Sequence, residues 1–392
     1  MTKRAAIYDP YLDTLGGGER YCLTVAEILL KNGYNVDIFW SGDPDLIDKA
    51  IKRFDLDLSG LTVVKDIFGV VPQKIDSVED LESLARISSQ HQLKPNLIQK
   101  VKSIIEKYKI TRRYDLFFYI SDWSVPFLFS KKNLLHVQVP FLLKNSFKEK
   151  LINNIKLVFF HSIICNSKFT LNFAHNFFGN KCLVIYPPVD IQKFNAAEKK
   201  ENIILSVGRF DNLLNSKKQD IMIEAFKKLI ESGSRSDWKL VLAGGSTEAP
   251  EQNSYLKHLK HISSGQPIEF IINPDFKQLA DLYSHSKIYW HAAGYGVDES
   301  LHPENTEHFG IAPVEAMASG LIPILVKRGG LPEIIIDGKN GYLWDNTDDL
   351  IAKTNLLIDS DQLFIEMSHA TIIKSHEFSK EGFSKKLLDL LK

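Results

Sequence analysis

Glu307 and Glu315 stand eight positions apart in the stretch Glu307-His-Phe-Gly-Ile-Ala-Pro-Val-Glu315-Ala-Met-Ala-Ser-Gly-Leu-Ile-Pro323. In one continuous helix that spacing would leave the two carboxylates about 80° apart. Phe309-Gly310 followed by Pro313 instead predicts a loop that turns into a helix near Ile311, with proline in its first turn. Glu307 then lies at the mouth of that helix, and Glu315 one turn inside it. The free amides of Gly310, Ile311 and Ala312 face whatever occupies the mouth, which favours an anion. A ligand with hydroxyls at both ends and phosphate between them meets all three demands, and a nucleotide sugar is such a ligand. The competing reading is an ordinary capped core helix.

Three further features could face the same anion. Gly16-Gly17-Gly18 ends the loop Asp9–Gly18 after a short strand and sits at a helix N-terminus, where glycine lets the backbone approach a ligand closely. A tight turn with no ligand explains the glycines equally well. Arg209 stands at a strand end, and Lys217 stands past a polar loop, Asp211–Ser216, where the next helix opens. Such a pair can neutralise the charge that builds on a departing diphosphate, although an arginine and a lysine near a loop are a weak signal alone. His291, Asp298, Glu299, His302, Glu304 and His308 crowd one region, but their spacings match no zinc or calcium template. No metal and no cofactor is expected; Asp43-Pro-Asp45 and Asp55-Leu-Asp57 read as solvent-facing turns.

The elements that must position these residues alternate. Arg4–Tyr8 reads as a strand, Glu19–Lys31 as a helix stopped by Gly33, and Tyr34–Trp40 as the next strand. Strand-like runs follow at Leu116–Ile120, Asn133–Val139 and Leu157–Asn166, then at Asn202–Val207, Lys239–Ala243, Ile268–Ile272, Ile288–Ala293, Leu321–Val326 and Tyr342–Trp344. Alternation of this kind predicts parallel sheets, with ligands beyond the strand carboxyl ends. His136, near the end of its strand, could reach such a site or be a satisfied core imidazole. Tyr186-Pro-Pro-Val-Asp-Ile-Gln-Lys-Phe194 reads as a stiff linker.

The whole block, followed by Gly329-Gly330-Leu-Pro-Glu333, resembles the Glu-x7-Glu motif of the family-four retaining glycosyltransferases. The resemblance implies an α/β chain of the GT-B fold, two doubly wound Rossmann-like domains facing a central cleft. The expected division is 1–190 on the acceptor side and 191–375 on the donor side, with 376–392 crossing back to the first domain. It implies Glu307 beside the donor sugar, with amides around Phe309, Gly310 and Ile311, and Glu315 on the ribose hydroxyls. Gly17 and Gly18 face the diphosphate across the cleft, and the turn at Asn273 passes the base through its backbone. The Gly208-Arg209…Lys217-x-x-Asp220…Glu224-Ala-Phe226 pattern is similar to the family's diphosphate-binding segment. Lys218 stands where the family has glycine, so it shares the candidacy with Lys217. His136 is the candidate for the histidine that the family often keeps near the donor sugar.

Glu307-His-Phe-Gly-Ile is closest in wording to the lipid-linked-oligosaccharide mannosyltransferases. The implied reaction is hexose transfer from a nucleoside diphosphate sugar, GDP-mannose or a UDP-sugar, to a glycan or lipid-linked acceptor hydroxyl, with retention. The rivals are a sugar synthase acting on soluble sugars and a non-catalytic sugar-nucleotide-binding subunit.

Composition sets the outer bounds. At 392 residues, with 44% hydrophobic and 24% charged, the chain is long enough for two cores and is globular in type. Net charge is zero but uneven: residues 1–200 carry 28 Lys+Arg against 21 Asp+Glu, and residues 201–392 carry 20 against 27. Residues 101–200 alone hold 16 basic and 6 acidic side chains, and a basic helix-like surface stretch over 94–113 leads into them. A basic face suits an anionic membrane met peripherally, or a lipid-phosphate acceptor, and nothing points to nucleic acid. It is equally the face that scattered, solvated lysines would give. Three cysteines and the lack of a leader-like start predict a cytoplasmic chain, peripheral on the inner face of the membrane. No apolar run reaches the roughly 18–20 residues that span a bilayer.

Overall fold

The computed structural model describes residues 2–68, 97–121, 123–142, 147–211, 216–231, 235–246 and 252–392, so most of the polar loop after Arg209 lies outside the described residues. The first sheet is built from β1 (Arg4–Tyr8), β2 (Asn35–Phe39), β3 (Leu61–Val64), β4 (Leu116–Ser121), β5 (Lys132–Val137), β6 (Ser162–Cys165) and β7 (Cys182–Val184). All pairs are parallel, in the order β3-β2-β1-β4-β5-β6-β7. Helices α1 (Gly17–Lys31) and α2 (Leu46–Phe54) pack on one face; α3 (Leu97–Thr111), α4 (Phe147–Leu157) and α5 (Lys168–Phe178) lie on the other. Coverage on both faces explains why all six residues of β4 are buried, with Phe117 and Phe118 entering opposite cores.

The second sheet repeats the plan with β8 (Glu201–Val207), β9 (Lys239–Gly244), β10 (Ile268–Ile272), β11 (Ser286–His291), β12 (Ile322–Val326) and β13 (Tyr342–Trp344), parallel in the order β10-β9-β8-β11-β12-β13. Its helices are α6 (Gln219–Glu231), α7 (Ser254–Ile262), α8 (Phe276–His285), α9 (Ile311–Ala318), α10 (Thr347–Ile358) and α11 (Asp361–Ser375). The last helix, α12 (Lys380–Leu391), leaves this unit and buries Phe383, Leu387 and Leu391 in the core of the first sheet. Lys380 Nζ lies 2.5 Å from Glu27 Oε2 on α1, which fixes the crossing.

In each sheet the strand order reverses between the first strand and its fourth, β1 beside β4 and β8 beside β11. Crevices open at the carboxyl ends of such strands, where ligands bind in doubly wound sheets. The glycine run follows β1; Gly208-Arg209 follows β8; His291 ends β11. Two α/β domains of this topology are the GT-B architecture.

One expected strand is shorter than its apolar run. Leu157–Asn166 splits into the end of α4, a turn, and β6 over Ser162–Cys165. Leu157 and Phe160 are buried while Val158 and Phe159 are exposed, a helical rather than alternating pattern that a short apolar run conceals.

Candidate active site

The mouth of α9 is shaped by Gly310, whose φ of 105° lies in the left-handed region. A Cβ there would come within 2.9 Å of Leu331 Cδ2, so the position is closed to side chains both conformationally and sterically. No side chain caps α9, which leaves its first-turn amides at the mouth. The approach to it is held by Gly330 N donating to Glu307 O at 2.8 Å and by Gly329 N donating to the Glu299 carboxylate at 2.8 Å. Phe309 is an anchor: it is buried and stacks on Tyr186 of the linker at 5.4 Å, with Phe378 edge-on at 5.4 Å. Its backbone, not its ring, is at the mouth.

Glu307 gathers two partners on one oxygen. Lys217 Nζ lies 2.5 Å from Glu307 Oε2, and His291 Nε2 lies 3.0 Å from the same atom. Burial alone would raise this carboxyl's pKa, but the lysine charge and the imidazole hold it well below the usual carboxylate range. His291 is buried, which lowers its own pKa against the pull of Glu307, and its Nδ1 has no partner. A neutral imidazole donating through Nε2 fits both facts. Lys217, not Lys218, enters the site. Lys218 takes a φ of 54°, the conformation in which glycine would be at ease.

Glu315 sits one turn inside α9, also largely buried. Arg20 Nη1 of α1 reaches it at 2.5 Å from across the cleft, and Tyr283 OH of α8 donates to its other oxygen at 3.1 Å. The residue before Arg20, Glu19, receives Gly16 N at 2.6 Å and Thr14 Oγ1 at 2.7 Å, which ties the glycine loop to α1. Burial raises the Glu19 pKa, and Arg209 is close enough for its charge to oppose that rise. Arg209 is half exposed, 3.6 Å from Asp211. Arg209 and Glu315 therefore both face the first turn of α1, and the site is shared. A Cβ on Gly17 would lie 3.1 Å from Ile311 Cδ1, so this glycine permits the two domains' closest approach at the mouth. Gly18 is closed from within its own domain, where a Cβ would collide with Gln138 Oε1. Asn273 ends β10 at a φ of 52°, with its Oδ1 accepting from Ser246 N at 2.9 Å, on the β9–β10 side of the cleft.

His136 does not reach this site. It is fully buried in β5, its ring stacked 4.0 Å from Tyr21 and 5.6 Å from Phe118, with Nδ1 3.1 Å from Ile164 O. Burial pushes its pKa down to about 3. The expectation of a cleft histidine there is corrected: its side of the strand faces α1 and the core. The imidazole at the site is His291, which the sequence reading considered only for a metal cluster. Among the described residues no group of three or more His, Cys, Asp or Glu could hold a metal ion. Arg20 was missed as well; its one sequence signal is its place in the first turn of the helix that the glycines open.

Residues 189–383 match the family described as Glycosyl transferases group 1, and the chain is a member of that family of transferase enzymes. It is 27% identical over 384 residues to the human GDP-Man:Man(3)GlcNAc(2)-PP-Dol alpha-1,2-mannosyltransferase, covering 84% of this chain and 73% of that protein. To the Xenopus laevis protein of the same name it is 32% identical over 210 residues, 48% of this chain and 40% of that one, so the chain spans well under two thirds of this relative. In fold it is similar to the crystal structure of a glycosyltransferase from Rickettsia africae, with a TM-score of 0.70 at 18% identity, covering 100% of this chain and 98% of that one.

Proposed function

We propose that the protein transfers a hexose, with mannose the favoured sugar and GDP-mannose the favoured donor, to a hydroxyl of a lipid-linked glycan, with retention at the anomeric carbon. The observation that carries this reading is the arrangement at α9: free amides at the mouth, Glu307 with Lys217 before it, and Glu315 one turn inside. The relatives' names support the choice of sugar, nucleotide and lipid carrier. In the proposed step the acceptor oxygen bonds to the anomeric carbon on the face that the nucleotide leaves. The bond from that carbon to the β-phosphate oxygen breaks, the acceptor proton passes to the departing phosphate, and GDP is released. Arg209 and Lys217 stabilise the charge on the leaving diphosphate, as pre-oriented cations do best in a site poor in water. Glu307 orients the sugar, and Glu315 holds the ribose.

The test is transfer from GDP-mannose, UDP-glucose and UDP-N-acetylglucosamine to a lipid-diphosphate oligosaccharide and to free sugars, with the product anomer read by NMR. Glu315→Ala is expected to weaken donor binding by about 10- to 100-fold, the worth of hydrogen bonds to a charged group. Arg209→Ala is expected to lower turnover by roughly 10²–10³. Transfer to free sugars alone would make the protein a soluble-sugar synthase, and donor binding without transfer or hydrolysis would make it a binding subunit. Both variants behaving as wild type would overturn the site.

A further inference from the structure

The flank of the first sheet that carries α3 and α4 presents more apolar surface than solvation requires. On α3, Ile98, Val101, Ile105 and Tyr108 recur at steps of three, four and three residues, which gathers them in an arc of about 80°. All four are exposed, Ile98 at 65%. On α4, Leu151, Ile152 and Ile155 are exposed, and Val158 and Phe159 continue the same side in the turn past Leu157, Val158 at 74%. Half-buried Phe129 joins the two stripes, 5.2 Å from the Tyr108 ring and 5.3 Å from the Phe159 ring. The result is one apolar patch, larger than the scattered surface residues of a solvated protein.

Cations border it. Residues 97–113 hold six Lys and Arg and one acid, Glu106. Exposed Lys102, Lys109 and Arg112 lie on or within about 40° of the α3 arc by helical position. The Arg112 guanidinium lies 5.2 Å over the Tyr108 ring, and Lys156 Nζ lies 5.4 Å over Phe127. Aliphatic and aromatic side chains in one plane, edged by lysine and arginine, are what an anionic lipid interface selects. Two copies of this chain would bring positive against positive. Placement agrees as well. Four residues separate α3 from β4 and α4 from β6, so both helices run against the strands and begin at the carboxyl edge, beside the cleft.

We infer that the α3–α4 face docks on an anionic phospholipid bilayer, which sets the cleft at the height of an acceptor carried by lipid. The inference rests on the lipid-linked acceptor proposed above. Its test is flotation of the full chain with vesicles of phosphatidylglycerol and phosphatidylcholine, against vesicles of phosphatidylcholine alone. The protein is expected to float with the anionic vesicles, and less so as salt rises. Lys102→Gln/Lys109→Gln/Arg112→Gln is expected to weaken that partition on the order of a hundredfold, at about fivefold per cation. Ile105→Asp/Ile155→Asp is expected to abolish it. Both variants should keep the wild-type melting midpoint and GDP-mannose affinity in solution; the charge variant alters exposed side chains only, so it stands if the other fails to fold. Wild type that stays with the unbound fraction, or variants that float like it, would overturn the inference. So would a wild-type dimer that Ile105→Asp/Ile155→Asp turns into a monomer, since the patch would then belong to a second copy. GDP-mannose binding without flotation overturns the surface alone; flotation without GDP-mannose binding overturns the transfer reading alone.

Discussion

Lys217 and Glu307 neutralise each other in the cleft, with side chains only 15% and 14% exposed. A buried charge left without a partner would be costly, so the pair holds the site in one arrangement. In the proposed function an arriving diphosphate gives Lys217 a second anion, while His291 stays on Glu307. His136 is a different case, a histidine kept neutral by the core. Its folded pKa is about 3, against roughly 6.5 for an unperturbed imidazole. Between those values the unfolded chain binds a proton that the folded one refuses, so stability falls as pH falls, by about 1.4 kcal/mol per pH unit. The depressed carboxyl of Glu307 acts in the same direction only at lower pH, since its contribution is intact above the unfolded pKa and is lost as pH drops through the folded one. Denaturant titrations at pH 7 and pH 5 should therefore carry this loss in wild type, set against the opposite effect of buried Asp9 and Glu19, whose raised carboxyl pKa values favour the folded chain as pH falls. His136→Asn, which keeps a donor near the Ile164 carbonyl, should lose about 1 kcal/mol per pH unit less. Its turnover at pH 7 should stay within about twofold of wild type, because the ring touches nothing in the cleft. An unchanged slope, or a collapse of turnover in a folded variant, would return His136 to the chemistry.

At the scale of elements, the start of α6 carries a strain that the site does not use. Lys218 holds a left-handed φ that costs a non-glycine residue about 1–2 kcal/mol, whereas glycine there loses only about 0.5–1 kcal/mol in chain entropy. Lys218→Gly should therefore raise stability by roughly 0.5–1 kcal/mol in urea denaturation and leave the donor KM unchanged. A destabilised variant, or a raised KM, would mean that the Lys218 side chain has a partner in the cleft. The position also shows how far the sequence could be read. Lys218 in a glycine's place was visible as a departure from a pattern, but only the backbone angle told which lysine turns inward. β4, β8, β12 and the entry to α9 were legible because strands buried on both faces give unbroken apolar runs, and because Phe-Gly before proline has few conformations. β3 and β7 were not. They are edge strands of four and three residues with half-exposed sides, and nothing in Leu61–Val64 or Cys182–Val184 alternates. The Arg20–Glu315 pair, 295 residues apart in the chain, is a tertiary fact with no local signature.

Across the whole molecule the cleft is bridged from both sides. Glu333, beside the mouth of α9, accepts Lys168 N at 2.8 Å and Phe169 N at 2.7 Å from the start of α5, and Tyr186 OH at 2.9 Å. A carboxylate at a helix N-terminus is favourably placed, and this one joins the two domains. α12 ties them a second time by packing Phe383, Leu387 and Leu391 into the first core. Among the bridges between described residues, Arg20 is the one that meets the proposed donor. It donates to Glu315 Oε1 while Tyr283 donates to Oε2, so the guanidinium competes with the proposed ribose hydroxyls for this carboxylate. Once released, Arg20 remains in the first turn of α1 next to Gly17 and Gly18, where the diphosphate of a bound donor is proposed to lie. The two roles separate by ligand. Arg20→Met frees Glu315, so guanosine, which has no phosphate, should bind as well as to wild type or better. GDP should bind about tenfold more weakly, the low end for a lost hydrogen bond to a charged group. Calorimetry with both ligands decides between them: if GDP tightens along with guanosine, Arg20 only joins the two domains, and its approach to the diphosphate is wrong.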